Sequence, residues 1–288
     1  MARTMTVPTR HAQVSVADTG GDGLPVLFLH GNSCSKEAFV EQFNSPMAKD
    51  FRMIAMDLPG HGDSDDADNP DAAYCMPGYA EAACDVLEHL GVSRAAVVGW
   101  SLGGHVAIEL IPRFSGLVGL MIMGTPPVHP TPESLQGGYR MHPMLPLISQ
   151  EELTEDEVMA FADGVFGNAN SDEFVNAVRR TDGRTRKFLF ATVFDGRTAD
   201  QQTLAEQSEV PIAIVNGEND PIINVDYINS LTYASLWEKH CFVMRGEGHV
   251  PFLTNPEGFN KILGRFLNDM ADEAKKPQGA RKQTTKVA

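Results

Sequence analysis

Gly99-Trp100-Ser101-Leu102-Gly103-Gly104 lies between an apolar run, Ala95-Ala96-Val97-Val98, and a helical pattern from Leu102 to Ile111 that stops at Pro112. Few folds place a G-x-S-x-G pattern there. A strand that turns at once into a helix forces its apex residue into strained backbone, and flanking glycines avoid the resulting clashes. The apex hydroxyl stands exposed. The new helix aims its first N–H groups at the same spot, where they stabilise developing negative charge. A serine that merely caps a helix would fit the bare pattern in a chain with 26 glycines. The strand before it, the helix after it and the fourth glycine favour a nucleophile.

Other short apolar runs frame the fold. Ala12 to Ala17 alternates, while Pro25 to Leu29, Phe51 to Met56 (interrupted by Arg52), Leu117 to Met123, Val210 to Val215 and Phe242 to Met244 do not. Apolar runs of this length without alternation read as strands buried on both faces, as in a parallel sheet. Helical stripes lie between them: Tyr79 to Leu90, ending at Gly91, and Phe259, Ile262, Leu263, Phe266 and Leu267 near the end. The alternation predicts an α/β, mostly parallel, doubly wound sheet. It lapses after Thr125, where prolines give way to helical starts. Thr154-x-x-Glu157 reads as a capping box, and Ser171 opens a second helix expected to end near Gly183. The expected organisation is a core of residues 1–125 and 206–270, a helical cap of 126–205 and a disordered tail of 271–288, rich in lysine and without an apolar stripe.

A serine nucleophile needs a base, and in chain order an acid precedes that base. His249, in Gly246-Glu247-Gly248-His249, follows the last strand and precedes the final helix. The loop after the preceding strand, Asn216 to Pro221, offers Glu218 and Asp220. Asp220 is favoured by its G-x-x-D spacing, with Glu218 as the alternative solvated charge. The loop His30-Gly31-Asn32-Ser33 follows the Pro25–Leu29 run, so the N–H groups of Asn32 and Leu102 are the expected oxyanion donors. The Asn32 amide could also hold a substrate carbonyl, and His30 shapes the loop. Cys34 lacks a base and reads as structural. So does the turn-rich loop Asp57 to Ser64.

No histidine–carboxylate spacing suits a metal, and no G-x-G-x-x-G follows the first apolar run, so neither metal nor dinucleotide cofactor is expected. The formal charge of −15 argues against nucleic acid and against an anionic membrane surface as partners. Met1 to Arg10 has no apolar signal region, and the four cysteines form no C-x-x-C pair. A cytoplasmic protein with free thiols and a small, neutral substrate is expected.

The chain resembles the α/β-hydrolase superfamily from about Gln13 to Met270. Within it, the chain most resembles the metal-independent N-acyl-homoserine lactonases, which open the lactone ring of quorum-sensing signals. The resemblance is carried by His30-Gly31-Asn32-Ser33, Asp57-Leu58-Pro59-Gly60-His61-Gly62, Gly99 to His105, Gly124-Thr125-Pro126-Pro127-Val128, Arg180-Thr181-Asp182-Gly183-Arg184 and Val215-Asn216-Gly217. It implies an α/β-hydrolase fold, a triad of Ser101, Asp220 and His249, and Asn32 on the lactone, with Gly31, Leu102, Trp100 and Phe161 around the substrate. The chain departs from that family twice. Asp220 stands where the family has glutamate, and Phe161 stands where it has a cap tyrosine, which removes a hydroxyl. The Met- and Phe-rich insertion suits an acyl chain. The same triad would also serve a carboxylesterase, a carbon–carbon bond hydrolase, a cofactor-free haloperoxidase or a ligand receptor.

Overall fold

A computed structural model describes residues 2–276. Its centre is an eight-stranded sheet ordered β1-β2-β4-β3-β5-β6-β7-β8. The strands are β1 (Arg3–Pro8), β2 (Gln13–Asp18), β3 (Pro25–Leu29), β4 (Arg52–Met56), β5 (Ala95–Trp100), β6 (Leu117–Met123), β7 (Ile212–Gly217) and β8 (Phe242–Met244). From β4 to β8 neighbouring strands run parallel, while β1 and β2 form an antiparallel edge. The doubly wound, mostly parallel sheet expected from the apolar runs is therefore present. The runs at β3, β6 and β8 coincide with their strands end to end.

Helices cover both faces of the sheet. A Cβ on Gly103, in the helix Leu102–Glu109, would lie 2.0 Å from the Leu29 carbonyl oxygen, so that helix sits on the β3–β5 backbone with no room for a side chain. On the other face Gly119 of β6 meets Met270 and Phe266 of the helix Pro256–Ala274. Strand order reverses between β3 and β5, so the loops leaving their carboxyl ends part and open a crevice.

Three elements differ from expectation. The strand β1 was not foreseen. It is an edge strand in which Val7 is buried, so its apolar signal is weak. The helix from Asp172 stops at Arg180, short of Gly183. There the Asp182 carboxylate accepts the Arg184 N–H and starts a new helix, Gly183–Ala191. The final helix runs to Ala274, past the expected tail boundary at residue 270. Met270 is buried, and the Arg94 guanidinium donates to the carbonyls of Glu273, Ala274 and Lys276, which extends order into the basic segment. The rest of the expected tail, residues 277–288, lies outside the described residues.

Between β6 and β7 the chain is helical, beginning with Pro132–Gly138 and including Glu155–Phe166, Asp172–Arg180, Gly183–Ala191 and Gln201–Gln207. Thr154 and Glu157 form both bonds of the capping box. The stretch Arg180 to Arg184 docks this insertion onto the loop after β4. Arg180 donates to the Ser64 carbonyl and Asp66, the Asp182 N–H to the Gly60 carbonyl, and the Tyr74 hydroxyl to Asp182.

That loop is itself held by a buried ion pair. Lys36 Nζ lies 2.8 Å from Asp57 Oδ2, and Asp57 also accepts the N–H groups of Lys36 and Asp63. Asp57 is fully buried, and its carboxylate draws the Lys36 pKa upward, against the desolvation that opposes it. Lys36→Met would leave Asp57 without its cation. Denaturant unfolding should show a loss of about 3 kcal/mol, whereas a change within a few tenths would mean the backbone donors suffice.

Candidate active site

At the end of β5 the backbone of Ser101 adopts φ 52° and ψ −117°, a strained conformation for a non-glycine residue. It is held from outside the turn. The Ser101 N–H donates to the Met123 carbonyl at 2.8 Å, and the Thr125 hydroxyl donates to the Ser101 carbonyl at 2.9 Å. Ser101 is half-buried and faces a cavity beneath the insertion.

The loops after β7 and β8 bring the other two candidates together. His249 Nδ1 lies 2.7 Å from Asp220 Oδ2, with both side chains buried. Asp220 Oδ1 accepts the N–H groups of Ile222 and Ile223, so three donors orient the carboxylate. Glu218 points elsewhere: its carboxylate accepts the Gly246 N–H at 2.9 Å and braces the histidine loop from its exposed side. Trp100, fully buried, donates its indole N–H to the His249 carbonyl at 3.0 Å. Its ring also borders the cavity, so it both positions His249 and forms wall. With Nδ1 engaged, Nε2 is the nitrogen left for Ser101, which borders the same cavity. No hydrogen bond joins them among the described residues. In unliganded enzymes such bonds are commonly long and close when substrate arrives.

The loop after β3 completes the floor. Leu102 N–H is in the first helical turn, beyond the reach of any helical carbonyl. A Cβ on Gly31 would meet the Trp100 ring at 2.9 Å, so glycine there lets the loop lie flat on the indole. His30 is wholly buried. Its Nδ1 lies 2.8 Å from the Gly31 carbonyl and its Nε2 accepts the Leu58 N–H, which matches a shaping role. The Asn32 side chain is partly committed: Nδ2 donates to the Ile148 carbonyl at 3.2 Å and Oδ1 accepts from Ser33. One N–H of the amide remains for a ligand. Ser33, at φ 54°, also accepts from the buried Arg186, which donates further to the carbonyls of Gln150 and Glu151. The insertion thus clamps the loop that carries Asn32. Cys34 is buried, and burial raises its thiol pKa, so it offers no thiolate.

The cavity has a volume of about 390 Å³. Its roof is apolar, with Met144, Leu145, Ile148, Phe161, Val165 and Phe190 from the insertion. Phe161, on the helix Glu155–Phe166, is buried and presents only a ring. Not every apolar residue of the insertion takes part. Phe166 stacks on Phe174 at 4.1 Å, and Phe194 is largely exposed. Polar residues that sequence reasoning did not single out also border the cavity, among them Tyr139, Gln201 and His105. His105 Nε2 lies 2.7 Å from the Tyr139 hydroxyl, and burial lowers the His105 pKa to about 4. Only its place just after the elbow could have flagged it. Among the described residues no group of three or more His, Cys, Asp or Glu side chains is arranged to hold a metal ion, and no helix is long and apolar enough to cross a membrane.

Comparison with known proteins places this arrangement in context. The sequence profile described as the Alpha/beta hydrolase family matches residues 26–262. Crystal structures of N-acyl homoserine lactonase AidH are similar throughout. The serine-to-glycine variant complexed with N-hexanoyl homoserine lactone is 37% identical, with a TM-score of 0.91 over 94% of this chain and 99% of that one. AidH complexed with N-butanoyl homoserine is 36% identical, with a TM-score of 0.91 over 97% of this chain and 100% of that one. Among curated sequences, a pimeloyl-[acyl-carrier protein] methyl ester esterase of Neisseria meningitidis serogroup A is 26% identical, over 86% of this chain and 78% of that protein.

Proposed function

Since the chain belongs to the alpha/beta hydrolase family, we propose that it is a serine hydrolase that opens the ring of N-acyl-homoserine lactones. The observation that carries this reading is the cavity, where Ser101, His249 and Asn32 form a polar floor under an apolar roof. The likeness to AidH along nearly the whole chain supports the lactone as substrate.

In this mechanism Asp220 holds His249 in the tautomer whose Nε2 is unprotonated. His249 takes the Ser101 proton, and Oγ attacks the ring carbonyl. The oxyanion is received by the N–H groups of Asn32 and Leu102. Loss of one such donor typically costs about 2.7–4 kcal/mol in the barrier. Collapse opens the ring to a serine ester, with the leaving hydroxyl protonated by His249. That hydroxyl stays tethered beside the acyl carbon and competes with water, so hydrolysis must outrun reclosure. The acyl chain lies under Met144, Phe161 and their neighbours. The acidic surface disfavours anionic substrates and leaves a neutral lactone unaffected.

A pH-stat assay tests this reading. N-acyl-homoserine lactones of graded acyl length should be opened with higher kcat/KM than p-nitrophenyl esters of the same acyl groups. Preference for the linear esters by orders of magnitude would remove the lactone and leave a carboxylesterase. That second reading is favoured by the methyl ester esterase among the relatives.

A further inference from the structure

We infer that Tyr139 is a specificity-determining residue whose hydroxyl oxygen accepts a hydrogen bond from an N–H group of the substrate. The inference deepens the lactonase reading and rests on it for the substrate's identity, because an N-acyl lactone carries one such N–H beside its ring.

The argument follows protons along a buried chain. Glu109, fully buried, is paired with Arg113 at 2.5 Å and accepts the Ala199 N–H at 2.8 Å. The Gln201 amide nitrogen faces two groups that can only accept, the His105 carbonyl at 3.2 Å and Glu109 Oε1 at 3.5 Å. The amide orientation is thereby set, and its oxygen faces His105 Nδ1 at 2.6 Å. Nδ1 must therefore carry the proton. His105 is buried and its ring contacts no carboxylate, so the imidazole is neutral and Nε2 is bare. The Tyr139 hydroxyl, 2.7 Å away, donates its single proton to that nitrogen. What remains on the oxygen is acceptor capacity alone.

Tyr139, His105 and Gln201 all border the cavity that holds Ser101. Tyr139 is also tied to the acid loop. It forms a bridge with Ile223, whose N–H binds Asp220, and Arg140 N–H donates to the Ile222 carbonyl. An acceptor of fixed polarity thus stands on a largely apolar wall, where it offers a partner to an N–H stripped of water. The residue lies outside the helix of Phe161, so it is a contact independent of the hydroxyl lost there.

The test compares N-hexanoyl homoserine lactone with α-hexanoyloxy-γ-butyrolactone, which differs by an oxygen in place of N–H. The wild-type protein should open the amide substrate about tenfold faster in kcat/KM. Tyr139→Phe, which keeps the ring, should bring that ratio down by about the same factor. A wild-type ratio near one overturns the inference without any variant, and so does a ratio that survives the substitution. Should the wild-type protein open neither ring, the lactone reading fails separately. The comparison then moves to the p-nitrophenyl esters of N-acetylglycine and of acetoxyacetic acid. The same fall in ratio on Tyr139→Phe supports the acceptor role, and an unchanged ratio removes it.

Discussion

Ser101→Ala should lower kcat on N-acyl-homoserine lactones by about 10⁴- to 10⁶-fold while leaving the thermal unfolding transition close to that of the parent protein. The elbow accounts for both parts of this expectation. The backbone bonds that hold residue 101, to Met123 and Thr125, do not involve Oγ. The variant therefore keeps its fold and its cavity and loses only the oxygen proposed to attack. A variant that kept a sizeable fraction of the activity would change the mechanism. Water activated by His249 would then attack directly, with Ser101 only orienting it. Rapid quench of the parent protein followed by mass spectrometry separates the two, because only the covalent route passes through an acyl adduct on Ser101.

The second large effect concerns Asp220. In Asp220→Asn one side-chain position still faces the N–H groups of Ile222 and Ile223, which demand an oxygen there. The amide nitrogen is then forced towards His249 Nδ1. Nδ1 must become the acceptor, the proton moves to Nε2, and the imidazole can no longer take the proton from Ser101. A loss of about 10⁴-fold in kcat is expected with the fold retained. Because the defect is a wrong tautomer, a strongly basic medium, which deprotonates the serine directly, should recover part of it. A loss below tenfold would point to Glu218 as the working acid. The structure gives that carboxylate a different task, bracing the Gly246 N–H on the exposed side of the loop.

Much of this site was legible before any coordinates. The strand-turn-helix context of Gly99 to Gly104 located the strained turn that carries Ser101, the proposed nucleophile. Strands β3 to β7 were visible because burial on both faces leaves a largely apolar run, whereas β8 is an edge strand with Val243 exposed and was visible only as three apolar residues. β1 was not, because an edge strand with a single fully buried side chain writes little into its sequence. The end of the last helix was misjudged because charge composition suggests disorder, while the order comes from Arg94, distant in the chain, capping the final carbonyls. Trp100 read as a substrate contact, and the structure shows its indole N–H holding the His249 backbone carbonyl.

Local sequence thus determined the fold class, the elbow serine, the candidate histidine and the loop of Asn32, because strand period, turn strain and helix starts are short-range properties. Which carboxylate meets the imidazole, which residues of the insertion roof the cavity, and the proton chain from Glu109 to Tyr139 were decided only by the tertiary structure. Each of these depends on contacts between segments far apart in the chain, and their distances and burial arise only when the whole core packs.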